Sequence, residues 1–323
     1  MYSALDAALD RRRADLARWE AEATTCYRLL HGAVEGAPGL TVDRYGPILL
    51  VQTWREPLPD GALPELAARC GSAVGAALLP VWNHRAPPID FEAHHPIVAP
   101  ADPVGTELGV RYDVRPRHRG QDPLLFLDLR VVRRRVLATS AGRSVVNLFA
   151  YTGGVGVCAA VGGATEVWNV DFAASALEVA EGNARRNGVG VRVIREDALA
   201  VLRQLAGVKV GRHRPTVRLE ARAFDRVVLD PPRWSKGRYG AVDVVNDYPS
   251  LFKPAVLATR PGGEVVATNH VPSVELDGWL EGLERCARKA GRPLRSVEVL
   301  TPEADFPSPD GRSPLKIAWC TVE

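Results

Sequence analysis

Cysteine is scarce in this chain of 323 residues, and the five cysteines have no paired spacing. Their distribution argues against a disulfide framework and against a zinc motif, so we predict no metal site and a reducing compartment. Most of them lie in apolar or helical surroundings, which is typical of small buried side chains. The five are Cys26, Cys70, Cys158, Cys286 and Cys320.

Long apolar runs are also missing. No stretch approaches the ~18–20 apolar residues that a transmembrane helix requires. The segment from Met1 to Asp6 lacks the charged and then apolar pattern of a signal peptide. We therefore expect a cytoplasmic protein with no membrane partner.

No strong excess of one charge is present, because the net charge is only +3. That sum does not by itself indicate nucleic-acid binding, but the basic residues are grouped along the chain. Such groups either keep a surface hydrated or contact an RNA backbone, and the sequence leaves both readings open. The groups are 11–13, 115–119, 133–135 and 212–214.

The pattern of elements changes near residue 125, and we predict two domains, 1–120 and 121–323. The first has a polar helix over 3–22, a hairpin over 40–54, a helix over 62–76, and short strands and loops over 80–120. The second alternates strands with helices, which predicts an α/β fold with a doubly wound, mostly parallel sheet. We expect its seven strands at 144–149, 166–171, 191–195, 225–230, 262–268, 294–300 and 315–322, the last two as an antiparallel pair. We expect its helices at 126–139, 154–161, 173–187, 196–206, 247–259 and 273–290, and a loop or hairpin insertion at 207–223.

One predicted edge of this sheet has the features of a cofactor site. A glycine-rich loop opens a helix, so that backbone can approach a ligand, and Asp171 follows the next strand, where a carboxylate typically binds a ribose diol. Asp197 follows the third strand, near the expected place of an adenine ring. The predicted cofactor-binding residues of this domain are Asn147, Phe149, Tyr151, Thr152, Gly153, Gly154, Asp171, Phe172, Asp197, Ala198 and Asp230.

Two cofactors are compatible with this loop. Residues 154–159 match the dinucleotide pattern G-x-G-x-x-A, but a single match is weak. S-adenosylmethionine requires the ribose carboxylate and the adenine slot without a pyrophosphate-binding loop, and we favour it. An NAD-dependent oxidoreductase, or a tight turn with no ligand, remains the alternative.

The fourth predicted strand ends in Asp230-Pro231-Pro232, which we predict to be catalytic together with Asn269. Each proline restricts the backbone, so the loop can hold one edge of a planar base rigidly. No cysteine lies in this loop or in Thr268-Asn269-His270, which follows the fifth predicted strand. Methylation of C5 of a pyrimidine requires a thiolate to add to the ring first, whereas methylation of a guanine nitrogen requires only alignment. The predicted substrate-binding residues are Trp234 and Tyr239, by stacking, Lys236, by phosphate contact, and His270.

Several segments together resemble the bacterial 23S rRNA methyltransferase family of the cytosine-C5 and guanine-N7 type, over roughly residues 25–323. The resemblance implies a Rossmann-like class I methyltransferase domain behind a small α+β domain that binds RNA. It also implies S-adenosylmethionine as the cofactor, 23S rRNA or its large-subunit precursor as the partner, and Asp128 and Arg130 in the cofactor pocket. The segments are 27–32, 39–46, 126–130, 147–154 and 230–232.

This sequence departs from the cytosine members of that family in two ways. It begins with a helix where they carry an N-terminal PUA module, and it has Thr268-Asn269-His270 where they have a cysteine. We therefore predict an S-adenosylmethionine-dependent RNA methyltransferase that favours a guanine nitrogen such as N7. A catalytically lapsed RNA-binding paralogue, or a methyltransferase of a non-RNA substrate, is the alternative.

Overall fold

The chain forms two compact units in the computed structural model, which describes residues 1–86, 102–116, 122–211, 214–237 and 240–323. The first unit comprises Met1–Arg130 and Pro302–Ser313, and the second comprises Val131–Thr301 and Pro314–Glu323. The predicted boundary between residues 120 and 121 lies outside the described residues, as do the centre of the basic group at 115–119 and most of that at 212–214.

The first unit contains three helices and two small sheets among its described residues. The elements are α1 (Tyr2–Arg11), α2 (Arg13–Ala21), β1 (Cys26–His31), β2 (Leu40–Tyr45), β3 (Ile48–Thr53), α3 (Ala62–Val74), β4 (Leu79–His84), β5 (Val104–Glu107) and β6 (Val110–Asp113).

The larger sheet of the first unit has the strand order β1-β2-β3-β4. Its first three strands are antiparallel neighbours, and β4 runs parallel to β3. One face forms an apolar core with the helices, because alternate residues such as Val42 and Val51 meet Leu5 of α1 and Leu66 of α3. The strands β5 and β6 form a separate antiparallel hairpin.

The predicted single helix over 3–22 is interrupted at Arg12, which separates α1 from α2. The Arg12 side chain is buried and donates to both oxygens of Glu35, at 2.7 and 2.8 Å. It also donates to the backbone carbonyl of Arg28 at 3.1 Å. These contacts are far away in sequence, so helical periodicity alone does not predict the break.

The segment Pro302–Ser313 is held in the first unit by buried charge. Arg130 is fully buried and donates to Glu303 at 3.0 Å, to Asp305, and to the backbone carbonyl of Cys26 at 2.9 Å. Asp305 is also fully buried and accepts from the backbone N–H of Arg28 at 3.0 Å. A buried ion pair of this kind is strongly destabilising to break, because the remaining charge is left unpaired.

The second unit contains the remaining elements. A short 3₁₀ turn over Leu127–Leu129 leads into its first helix. The elements are α4 (Arg130–Thr139), β7 (Ser144–Leu148), α5 (Gly154–Val161), β8 (Glu166–Asp171), α6 (Ala174–Arg186), β9 (Arg192–Arg195), α7 (Ala198–Leu205), β10 (Phe224–Leu229), β11 (Trp234–Gly237), β12 (Gly240–Asp243), α8 (Pro249–Leu257), β13 (Thr259–Asn269), α9 (Leu276–Lys289), β14 (Leu294–Leu300) and β15 (Lys316–Val322).

Seven of these strands form one sheet in the order β14-β15-β13-β10-β7-β8-β9. The five strands from β13 to β9 are mutually parallel, and β15 is antiparallel to both of its neighbours. The predicted α/β fold with a seven-stranded, mostly parallel sheet is therefore confirmed. Every residue of β7 is buried, as expected for a central strand covered by helices.

The structure adds a hairpin to the predicted elements of the second unit and decides between the two forms predicted for 207–223. The residues after Asp230-Pro231-Pro232 form an antiparallel hairpin, β11–β12, in a stretch where the sequence predicts no helix or strand. The insertion at 207–223 contains no strand among its described residues. It is attached through Glu196, which accepts from the backbone N–H groups of Thr216 and Val217 at 2.5 and 3.1 Å.

Among the described residues, no helix is both long and apolar enough to cross a membrane.

A buried ion pair joins β10 to β13 at the edge of the sheet opposite the predicted site. Arg226 is fully buried and donates to Glu264 at 2.7 Å and to Ser140 at 2.8 Å. Burial raises the pKa of Glu264, but its interactions with Arg226 first, and also with Arg143 at 2.7 Å, act in the other direction, and the pKa is lowered. The pair therefore stabilises the fold when Glu264 is ionised.

We predict that Glu264→Gln lowers the free energy of unfolding by about 2–3 kcal/mol near neutral pH, because it leaves Arg226 buried without a carboxylate. A lowered folded-state pKa means that this contribution is present above the unfolded pKa and is lost as the pH falls through the folded pKa. Urea denaturation of both proteins at neutral and at acidic pH measures the difference.

The matched control is Glu281→Gln, which removes an exposed pair with Arg285 on α9. We expect a change of less than about 0.5 kcal/mol there, because exposed pairs are worth little. Equal losses in the two variants, or a difference for Glu264→Gln that persists at acidic pH, would contradict this account.

Candidate cofactor and substrate site

The carboxyl ends of the five parallel strands lie at one edge of the second unit's sheet. Leu148 of β7 pairs with Val170 of β8 and with Leu229 of β10, and Leu229 pairs with Ala267 of β13. The loops that follow these strands are therefore neighbours. They carry the predicted residues 149–154, 171–172, 197–198, 230–232 and 268–270.

Asp171 connects two of these loops. One carboxylate oxygen accepts from the backbone N–H of Tyr151 and the other from that of Ala173, both at 2.9 Å. These bonds fix the carboxylate at the end of β8. Each carboxylate oxygen can accept more than one hydrogen bond, so the group can still accept from the two hydroxyls of a ribose.

The loop after β7 is strained. Phe149 and Tyr151 have φ values of 58° and 49°, in the left-handed region that side chains other than glycine rarely adopt. The bond from Tyr151 to Asp171 and a bond from the backbone N–H of Ala150 to Val170 at 2.9 Å hold this conformation. On the far side of the loop, the carbonyl of Thr152 accepts from Asn183. Strain that the surroundings maintain in this way is typical of ligand sites.

Two glycines at this point of the chain, Gly153 and Gly156, are required by packing. A Cβ at Gly156 would lie 2.0 Å from Oδ1 of Asn169, and one at Gly153 would lie 2.8 Å from Cβ of Ala180. Asn169 is fully buried and its Oδ1 accepts from Asn147 at 3.0 Å. The structure therefore places Asn147 in a buried pair behind the loop. This close packing accounts for Gly153 and Gly156 without a ligand, and it was not anticipated from the sequence, where a tight turn is the only ligand-free alternative.

The next two loops contain the other predicted cofactor residues. Phe172 is 67% exposed directly beside Asp171. Asp197 caps α7 by accepting from the backbone N–H of Leu199 at 2.9 Å, and burial raises its pKa. Ala198 is buried in the first turn of α7. The fixed carboxylate of Asp171 can accept from the ribose hydroxyls of S-adenosylmethionine, and the exposed ring of Phe172 beside it can stack on the adenine.

Asp230 is held by residues that sequence reasoning did not assign to the site. Thr268 donates its hydroxyl to Asp230, and the backbone carbonyl of Thr268 accepts from the Tyr248 hydroxyl at 2.8 Å. Burial, with the Asp230 charge, raises the pKa of Tyr248 well above its usual value, so this donor stays protonated. Pro231 is buried and Pro232 half-buried, which agrees with a rigid loop.

Asn269 has a structural role in this arrangement. It is fully buried, donates to the carbonyl of Val244 at 3.0 Å, and accepts from the backbone N–H of Val271 at 3.0 Å. These contacts connect the end of β13 to the chain after β12. A direct contact with a base, as predicted from the sequence, would require this buried amide to be uncovered, so the contacts described favour positioning over catalysis.

Two of the four predicted substrate residues have exposed side chains in the described part of the chain. Trp234 is 60% exposed at the start of β11, and His270 is exposed after β13. The backbone of Lys236 lies in β11, and Tyr239 lies outside the described residues. Trp234 and His270 are therefore available for contact with a substrate.

Asp128 and Arg130 lie in the first unit. Asp128 lines a cavity of about 430 Å³ within that unit. Arg130 is fully buried and donates to Glu303, Asp305 and Cys26, so the structure gives it a role in holding Pro302–Ser313. Their predicted role in the cofactor pocket stays a prediction.

Two features define a class I methyltransferase domain. One is the strand order, in which the antiparallel strand β15 lies between β13 and β14, and the other is the carboxylate of Asp171 at the end of β8. Residues 27–320 match the family model described as S-adenosylmethionine-dependent methyltransferase. The chain belongs to this family. The cofactor is therefore S-adenosylmethionine, and the alternative of an NAD-dependent oxidoreductase is not supported.

Named relatives of this chain are found in bacteria. A Deinococcus radiodurans protein named Ribosomal RNA large subunit methyltransferase is 31% identical over 301 residues, which is 91% of this chain and 71% of that protein. An Aeromonas hydrophila protein named Ribosomal RNA large subunit methyltransferase I is 29% identical, over 88% of this chain and 70% of that protein. These matches confirm the resemblance to bacterial large-subunit rRNA methyltransferases.

Solved structures show the same fold. A methyltransferase in complex with SAH has a TM-score of 0.79 at 21% identity and covers 99% of this chain and 80% of its own. A methyltransferase from Agrobacterium tumefaciens has a TM-score of 0.63 at 20% identity, with 88% of each chain covered.

We predict that Phe172→Ala weakens S-adenosylmethionine binding about tenfold or more, since base–aromatic stacking contributes about 1–3 kcal/mol. The free energy of unfolding should change by less than about 0.5 kcal/mol, because the ring is exposed. Isothermal titration calorimetry and urea denaturation measure the two quantities. Val161→Ala, at an exposed position of α5, is the control. Unchanged affinity in Phe172→Ala would contradict this placement of the adenine.

Proposed function

We propose that this protein transfers the methyl group of S-adenosylmethionine to a base of large-subunit ribosomal RNA, and that the acceptor is a guanine nitrogen such as N7. The names of the Deinococcus and Aeromonas relatives support the RNA substrate. The observation that carries the choice of atom is the burial of every cysteine in the chain.

Methylation of C5 of cytosine requires a thiolate to add to C6 before the methyl transfer. The five cysteines are free and buried. Burial raises the pKa of Cys70 and of Cys320 to about 12, so neither forms a thiolate at neutral pH. Burial also raises the pKa of Cys286. None of these thiols is a suitable nucleophile.

Methylation of a guanine nitrogen requires less of the protein. The ring-nitrogen lone pair attacks the methyl carbon in line with the carbon–sulfur bond, and the sulfonium leaves as the neutral thioether of S-adenosylhomocysteine. N7 carries no proton, so no general base is needed, and positioning supplies the catalysis. Asp171 and Phe172 hold the cofactor, and Asp230, kept in place by Thr268, orients the base with the rigid Pro231-Pro232 backbone and the exposed Trp234.

The remaining predicted roles form part of the same proposal. Asp197 and Ala198 adjoin the adenine, and His270 contacts RNA near the base. The first unit and the described basic groups bind the RNA backbone. A catalytically lapsed paralogue and a methyltransferase of another substrate are the competing functions, and the following experiment separates them.

The test is methyl transfer from labelled S-adenosylmethionine to large-subunit rRNA and to assembled subunits from a strain that lacks the gene, followed by nucleoside mass spectrometry. We expect one labelled methylguanosine, and Asp230→Ala should lower the rate by at least about 100-fold if Asp230 orients the base. Labelled 5-methylcytidine would overturn the choice of atom. Cofactor binding without transfer to any RNA would indicate one of the competing functions.

A second measurement tests the thiolate argument directly. RNA that contains 5-fluorocytidine traps enzymes that add a cysteine to the ring, because the fluorine blocks the elimination step. We expect no covalent complex on denaturing gels with this protein, and a trapped complex with a cytosine-C5 methyltransferase run in parallel. A covalent complex with this protein would contradict the proposal.

A further inference from the structure

One face of the four-stranded sheet in the first unit is polar and yet buried. Alternate residues of β2 face opposite sides, so Thr41 and Asp43 lie opposite the core residue Val42. Thr41 pairs with Gln52 of β3, and Asp43 pairs with Arg28 of β1. Burying polar groups costs free energy, so a face of this composition needs a reason.

A cavity of about 430 Å³ lies over this face. Two aromatic side chains in its lining, Trp54 and Phe126, are 42% and 41% exposed. In a third, Phe306, the ring centroid lies 4.6 Å from the guanidinium carbon of Arg28. The volume is in the range of small-ligand pockets, which is about 300–1,000 Å³. The cavity combines a polar floor with aromatic walls.

The hydroxyl of Thr41 is the unexplained polar group of this cavity. It is buried and has no hydrogen-bond partner among the described residues. Nearly all buried polar groups in proteins are hydrogen-bonded, so an unpartnered hydroxyl in the lining of a cavity points to a ligand.

Both arginines in the lining are already paired with carboxylates, which disfavours a phosphate as that ligand. Arg28 donates to Asp43 at 2.8 and 3.1 Å, and Arg85 donates to Asp122 at 2.8 Å. An uncharged ligand with polar atoms at its edge and a flat face that stacks on an aromatic ring therefore fits this cavity.

We propose that this cavity binds an unstacked nucleobase of the RNA substrate. The base stacks on Trp54 or Phe126, and the Thr41 hydroxyl forms a hydrogen bond with its polar edge. Stacking on aromatic side chains is the usual way in which proteins bind unpaired bases. This inference rests on the proposed function, in that RNA is the substrate, and it assigns a base-binding site to the first unit.

The test is binding of the four free ribonucleosides to the full chain, measured by saturation-transfer NMR and calorimetry, with saturating S-adenosylhomocysteine to fill the cofactor site. We expect at least one nucleoside to bind saturably. Trp54→Ala should weaken that binding about tenfold, in the lower part of the range for base–aromatic stacking. Thr41→Val, which is nearly isosteric, should weaken it as well.

Thr41→Val separates a ligand role from a structural role. Because its hydroxyl has no protein partner, the valine variant should keep or raise the melting temperature while it loses nucleoside affinity. A lowered melting temperature would indicate a structural role and count against the proposal. Val34→Ala, at an exposed position of the same unit outside this cavity, is the control for both measurements.

The RNA reaction distinguishes failure of this inference from failure of the proposed function. In methyl transfer to large-subunit rRNA, Trp54→Ala and Thr41→Val should raise KM for RNA with little change in kcat. Nucleoside binding that depends on Thr41 and Trp54, without methyl transfer by the wild type, would refute the proposed function alone. Methyl transfer with unchanged KM, or nucleoside binding that neither variant alters, would overturn the assignment of this cavity.

Discussion

One carboxylate organises the cofactor edge of this protein. Asp171 accepts from the backbone N–H groups of Tyr151 and Ala173, so the loops after β7 and β8 are held by the same side chain. Tyr151 is left-handed, and this bond stabilises that conformation. The residue that contacts the ribose in the proposed complex therefore also shapes the loop beside it. Loss of Asp171 removes a ligand contact and the geometry of its surroundings together.

The alternation of elements in the second unit is readable in the sequence, because its central strands are buried and appear as short apolar runs. Parallel pairing then brings Asp171, Asp197 and Asp230 to one edge, whatever the details of the loops. The hairpin β11–β12 is not readable, since Trp234–Gly237 and Gly240–Asp243 show no clear alternation of apolar and polar residues. The break at Arg12 depends on Glu35, a contact that local periodicity does not contain.

Residue type indicates chemistry, but only the fold shows whether a side chain is accessible. Asn269 and Arg130 have the right chemistry for a base and a cofactor, yet both are fully buried with protein partners. The converse holds in β2, where Leu40-Thr41-Val42-Asp43 alternates as a strand with one side in water would. Chain from distant parts of the sequence, around Phe126 and Phe306, encloses that polar side and turns it into a cavity.

The first unit is discontinuous in sequence, and this has a consequence for how the protein is made. Asp305, which binds Arg130 and the backbone of Arg28, is synthesised after nearly all of the second unit. During synthesis, Arg130 therefore lacks this buried partner until residue 305 has been added to the chain. The residues up to Arg130 are therefore not self-sufficient, because without Asp305 the buried charge of Arg130 loses one of its partners.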